Sequence, residues 1–206
     1  MSTLLQIYSS LNGADGVSSK LAQRFANEWL AHNAGGRVLT RDLAQQPIAH
    51  LSASAFQGFR LTPTERTAEQ ESVAQLSDEL ISELQNADTV VIGVPMYNFG
   101  VASTLRAYFD HVARAGVTFR YTPTGPEGLL RDKRAVIFIT RGGRYAVDQE
   151  SQTAYLRQFL GFLGINEVEF VYAEGLALGE ASANESLSAA HESLRSLAHQ
   201  EHALAA

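Results

Sequence analysis

The sequence predicts an α/β protein in three layers, αβα, with a five-stranded parallel sheet between two sets of helices. Three observations carry that reading. Short runs such as Val90-Val-Ile-Gly-Val94 and Ala135-Val-Ile-Phe-Ile139 are apolar throughout, with neither helical spacing nor polar alternation. Strands buried on both faces look like this. Between such runs lie longer stretches whose apolar residues recur three and four apart, as on amphipathic helices. The two patterns alternate from end to end, which points to strand–helix–strand units with right-handed crossovers. At 206 residues the chain is read as one domain, 1–206, long enough to bury about 70% of its unfolded surface.

Leu4 to Tyr8 is the first strand, and a Ser- and Gly-rich loop, Ser9–Ser19, follows it. Leu21, Phe25 and Trp29 then mark a helix that stops at Gly35-Gly36, glycine being a common helix terminator. Arg37 to Leu43 reads as the second strand. Thr62-Pro63-Thr64-Glu65 has capping-box spacing with Pro at the first helical position, so a helix is predicted to open there. Val73, Leu76, Leu80, Ile81 and Leu84 continue its apolar stripe. The strand 88–95 and a helix over 102–114 come next. After the strand 135–139, a helix carries Tyr155, Leu156, Phe159, Phe162 and Leu163 and ends at Gly164. The last strand is Val168–Tyr172, and Leu187, Ala190, Leu194 and Leu197 define the C-terminal helix. The connections 44–61 and 115–132 exceed the usual few residues. Ordered connections of that length are generally functional, and both are expected to build a pocket or a subunit interface.

Composition removes several function classes. The net charge of −6 and the lack of any basic run argue against a nucleic-acid partner. Without cysteine, disulfides, thiolate catalysis and cysteine-ligated metal centres are excluded. The first residues show no basic leader and no apolar segment reaches membrane-spanning length, so a cytoplasmic place with no membrane partner is expected. No Gly-x-Ser-x-Gly elbow is present. His199 and His202 are three apart on the last helix, but no third ligand accompanies them, and no metal site is predicted. His111 follows Asp110 directly, and adjacent helical residues do not face each other; no acid–base role is assigned to that pair, nor to any other residue.

Three strand ends carry unusual loops, and in open α/β sheets ligands sit at the carboxyl ends of strands. In the first loop, Ser10 and the Gly16-Val17-Ser18 turn run into a helix N-terminus, a ready anion site. It lacks both the Gly-x-Gly-x-x-Gly pattern and a Walker lysine, so a terminal monophosphate fits better than a pyrophosphate. Asp15 must then face solvent. In the second, Met96-Tyr97-Asn98-Phe99 places an amide between two aromatics, which suits a flat heteroaromatic ring with imide-like edges, such as a flavin. In the third, Thr140-Arg141-Gly142-Gly143 exposes backbone N–H groups that could bind the pyrimidine edge of that ring.

On Ser9–Ser19, Pro95-Met-Tyr-Asn-Phe99, Ala113-Arg-Ala-Gly-Val-Thr-Phe-Arg-Tyr121, Gly125-Pro-Glu-Gly128, Arg141-Gly-Gly143 and Phe159-Leu-Gly-Phe-Leu-Gly164, the chain resembles the bacterial FMN-dependent NAD(P)H azoreductase and quinone reductase family, of flavodoxin-like fold. The resemblance spans nearly the whole length. It implies that Ser10, Gly16, Val17 and Ser18 hold the FMN phosphate. Met96, Tyr97, Asn98 and Phe99 would line the isoalloxazine, and Thr140, Arg141, Gly142 and Gly143 would contact its N1/O2 side. It further implies a homodimer whose substrate pockets lie between subunits, with Tyr121 and Phe162 as aromatic walls. Arg60 is a candidate for steering the phosphates of NADH or NADPH. The implied activity is two-electron transfer from NAD(P)H through FMN to quinones or azo compounds. The alternative is a flavodoxin-type electron carrier.

Overall fold

The computed structural model describes residues 2–146 and 149–200. Five parallel strands form the sheet: β1 (Thr3–Tyr8), β2 (Arg37–Asp42), β3 (Thr89–Pro95), β6 (Arg134–Thr140) and β7 (Glu167–Ala173), in the order β2-β1-β3-β6-β7. Alternate residues of each strand feed opposite cores, as the two-residue strand period requires. Leu5, Ile7, Val90, Ile92, Ile137 and Ile139 face one cluster. There they meet α3 (Ala68–Asn86), α4 (Ser103–Val112) and α5 (Gln152–Leu163). Leu4, Tyr8, Val91 and Phe138 face the other, under α1 (Val17–His32) and α6 (Glu180–Ala198). The expected three-layer architecture, with its five parallel strands, is therefore present. No helix among the described residues is long and apolar enough to cross a membrane.

The chain leaves β1 toward β2 on one side and returns past β1 to β3 on the other. The strand order thus reverses between β1 and β3, which places the crevice at their carboxyl ends.

Two sequence expectations change in detail. The box at Thr62–Glu65 does form: Glu65 accepts from the Thr62 amide at 3.0 Å and its hydroxyl at 2.7 Å. It caps only a 3₁₀ turn, Pro63–Glu65, because Arg66 returns to extended backbone. The long helix opens at Ala68 instead, on a second box made by Thr67 and Gln70. The two long connections are structured, one holding α2 (Ala53–Gly58) and the other an antiparallel hairpin of β4 (Phe119–Thr122) and β5 (Gly125–Gly128).

The hairpin lies backbone against backbone on the C-terminal end of α5. A Cβ on Gly128 would stand 2.1 Å from Gly164 N and 2.3 Å from Leu163 C, and Leu130 donates to Leu163 O at 2.9 Å. Neither neighbour is a flexible side-chain end. Gly128→Ala is therefore expected to cost about 3 kcal/mol by overpacking, read as a lower urea midpoint at unchanged m-value.

Candidate active site at the carboxyl rim of the sheet

The three loops singled out in the sequence follow β1, β3 and β6, three adjacent strands, and they meet at one rim. Ser9 Oγ donates to Gly93 O at 2.7 Å, the Leu11 amide donates to Tyr97 Oη at 3.1 Å, and the Met96 amide donates to Thr140 O at 2.9 Å.

The first loop ends at an uncapped helix. Gly16 is the N-cap of α1 and offers no side chain, and the amides of Val17, Ser18 and Ser19 donate to no acceptor among the described residues. The hydroxyls of Ser18 and Ser19 are buried without a partner as well. Orphaned buried hydroxyls are uncommon, and two of them beside three free amides at the positive end of a helix fit a phosphate monoester. The close turn depends on Gly16, since a Cβ there would lie 2.2 Å from Ser10 Oγ. Asp15 does face solvent, 94% exposed, with its carboxylate 3.9 Å from Lys20 Nζ.

The second loop is a tight turn. Tyr97 and Gly100 exchange backbone hydrogen bonds, each 3.0 Å, around Asn98 and Phe99. Both central residues have positive φ, 48° and 63°, as a type I′ turn requires. Asn tolerates that conformation; an aromatic at φ 63° is strained by about 1–3 kcal/mol and needs support from its surroundings. The support is visible. Ser151 Oγ donates to Phe99 O at 3.3 Å, and Gln152 Nε2 donates to Pro95 O at 3.3 Å and Gly100 O at 3.1 Å. Tyr145 meets the Phe99 ring edge-on at 6.0 Å. Nothing in the apolar spacing of α5 flagged Gln152, whose role depends on being buried.

The third loop separates backbone from side chain. Gly142 and Gly143 accept from Ala177 and Gly175, but neither glycine amide donates to an acceptor among the described residues. Those two N–H groups remain for a ligand's acceptor edge. The Arg141 guanidinium does not: it is committed to Glu150 at 2.7 Å, Glu174 at 2.9 Å and Gln152 at 3.3 Å. Arg141 is a buried clamp, and Thr140 is likewise buried at the end of β6.

Other candidates fall elsewhere. Arg60, just past the end of α2, lies over the Phe56 ring of that helix at 4.7 Å and does not line the rim cleft. Phe162 packs on Phe119 at 4.3 Å, and Phe119 meets Tyr121 edge-on at 5.5 Å. These aromatics sit at the far end of α5, ten residues and about 15 Å of helix from Gln152. Within one chain they do not reach the three loops. His111 is a core histidine, buried with Nδ1 2.9 Å from Ala107 O and Phe59 against its ring. His199 packs against His32 with ring centroids 3.8 Å apart and the planes tilted by 38°, and His202 lies outside the described residues.

A cleft of about 720 Å³ opens beside the turn, with Leu11, Tyr97, Asn98, Val101 and Tyr155 among its walls. Its size suits a ring substrate.

Comparison with known proteins agrees with this geometry. The family model described as flavodoxin-like fold matches residues 2–198. An FMN-dependent NADH:quinone oxidoreductase of Cellvibrio japonicus is 51% identical over 181 residues, covering 87% of this chain and 91% of that protein. One of the same description from Alteromonas mediterranea is 46% identical over 195 residues, covering 94% and 97%. Among solved structures, an FMN-dependent NADH-azoreductase from Bacillus anthracis in complex with FMN superposes with TM-score 0.87 at 26% identity, covering 96% of this chain and 98% of that one.

Proposed function

The chain belongs to the flavodoxin-like fold family, and we infer that it is an FMN-dependent NADH:quinone oxidoreductase that also reduces azo compounds. The identity to oxidoreductases so described favours an enzyme over an electron carrier. The observation that carries the reading is the cluster of unspent donors on three neighbouring loops.

The residues fit FMN as they stand. Val17 and Ser18 amides, with the Ser18 hydroxyl and Ser10, would hold the phosphate at the helix N-terminus. Asn98 would bond the pyrimidine part of the ring, between Met96, Tyr97 and Phe99. The Gly142 and Gly143 amides would face the N1/O2 edge, where donors stabilise the negative charge that reduction brings. FMN held by these residues would supply two-electron redox chemistry between NADH and a quinone or azo acceptor. The protein's own part is to orient: the turn fixes the ring plane, and the cleft beside Asn98 receives donor and acceptor in turn. No side chain is required as an obligatory acid or base.

Tyr121 and Phe162 would complete this site from a second copy, so the working unit is a homodimer. Tyr121 is 76% exposed on the hairpin, while Phe99 and Leu11 are 64% and 63% exposed at the rim. Both the hairpin aromatic and the rim residues are thus accessible to a second copy. NADPH could replace NADH as donor. The same reading places the enzyme in the cytoplasm, where reduced nicotinamide is regenerated.

The test uses Asn98→Gly, which suits positive φ and removes the amide. FMN titrated into the apoprotein should bind about 1–3 kcal/mol more weakly, while the urea midpoint holds or rises. Undiminished affinity would remove Asn98 from the site. A wild-type protein that neither retains FMN nor reduces 1,4-naphthoquinone with NADH would remove the function.

A further inference from the structure

The rim cleft carries a charge pattern that FMN binding does not use. The molecule is acidic, with 22 Asp and Glu against 16 Lys and Arg. Yet no carboxylate lines the cleft, and its wall holds Arg106, with the His50 imidazole among the lining residues. Arg106 projects from α4 with its guanidinium 4.7 Å over the Tyr155 ring. Asp110, one turn further on, makes no ion pair with it, nor does any other carboxylate among the described residues. Stacking on Tyr155 orients the planar fork and leaves donors free. An arginine stacked at the exposed wall of a largely apolar cleft, with no anion of its own, is arranged to receive one.

We propose that Arg106, held by Tyr155, is an oxyanion subsite for ligands whose planar ring lies against the Asn98 turn. The shared chemistry is a ring carrying an anionic group: a sulfonate or carboxylate on the acceptor, or the diphosphate of the nicotinamide donor. The proposal rests on the oxidoreductase reading and adds a residue that discriminates among its substrates.

The holoenzyme and its Arg106→Gln and Arg106→Lys variants are compared on 1,2-naphthoquinone-4-sulfonate, on neutral 1,4-naphthoquinone, and on NADH. For the glutamine variant, kcat/KM for the sulfonated relative to the neutral quinone is expected to fall about tenfold or more, since a charge-assisted hydrogen bond is lost. Lysine should restore part of it. A matching fall for NADH alone would assign the subsite to the donor; a fall for both would show that it is shared. A ratio unchanged within about twofold, together with unchanged NADH kinetics, overturns the proposal. Binding of redox-inert naphthalene-2-sulfonate to the holoenzyme by calorimetry provides a readout independent of turnover: weaker binding to Arg106→Gln supports the subsite, and equal binding together with unchanged NADH kinetics refutes it. Failure of the wild type to reduce neutral quinone would instead sink the oxidoreductase reading, so the two failures are distinct.

Discussion

Arg141→Met is expected to lower the free energy of unfolding by about 3–5 kcal/mol, because it leaves a buried carboxylate without its cation. The guanidinium side chain is 2% exposed and that of Glu150 is 4% exposed, with 2.7 Å between Nη2 and the carboxylate. Double replacement, Arg141→Met with Glu150→Gln, should recover part of the loss, as the desolvated charge is then gone. The damage should also spread to the rim. Arg141 Nε fixes Gln152, and Gln152 holds both carbonyls that flank the strained turn; FMN affinity should fall along with the urea midpoint. Acid should reveal the same clamp. Burial alone would raise the Glu150 pKa, but hydrogen bonds from Thr153, followed by the charge of Arg141, outweigh it and hold the carboxyl below its ordinary value. A depressed folded-state pKa contributes stability that is complete above the unfolded value, about 4.3, and is lost as pH falls through the folded one. The Tm difference between wild type and Glu150→Gln should therefore be full at neutral pH and shrink below that value. A difference constant down to the acid limit would contradict the assignment.

The sheet was readable because its strands are buried on both faces, and runs such as Val90–Val94 leave no polar residue to confuse the period. The three loops were readable for a related reason: Ser10, Asn98 and the Gly142-Gly143 pair serve no purpose in packing a strand end. Arg141 shows where this way of reading stops. Its place in a loop at the rim is evident from sequence, but its partners Glu150 and Glu174 lie nine and thirty-three residues away and only the fold brings them together. Resemblance placed Arg141 against the ring without distinguishing its backbone from its side chain, and the guanidinium serves as a clamp. Gln152 was invisible because a buried amide at a helix start looks like any polar first-turn residue. Arg106 was hidden in the polar face of α4, where a solvated arginine is the default; only the cleft beside it separates it from its neighbours. Tyr121 and Phe162 could be placed only through resemblance, since in a single chain they lie far from the loops they were expected to cover.

That separation makes the largest prediction on activity. If each site takes its loops from one chain and its aromatic wall from another, two differently disabled variants should rescue each other. Gly16→Val should abolish FMN binding, because even a Cβ there collides with Ser10. Tyr121→Ala with Phe162→Ala should keep the loops and lower activity about tenfold, by losing two aromatic contacts with their buried area. Co-refolded in equal amounts, the two chains form mixed dimers in which one of the two sites has intact loops and intact aromatics. Random pairing then gives about a quarter of wild-type activity. Were each chain to complete its own site, the same mixture could show only about a twentieth, the residual activity of the aromatic variant at half its concentration. The two outcomes differ about fivefold, well beyond the scatter of a steady-state assay. Sedimentation of the mixture supplies the control, since rescue requires dimers and must vanish on dilution below their dissociation constant. Activity that stayed near a twentieth while the dimers persisted would mean that each chain completes its site with its own aromatics.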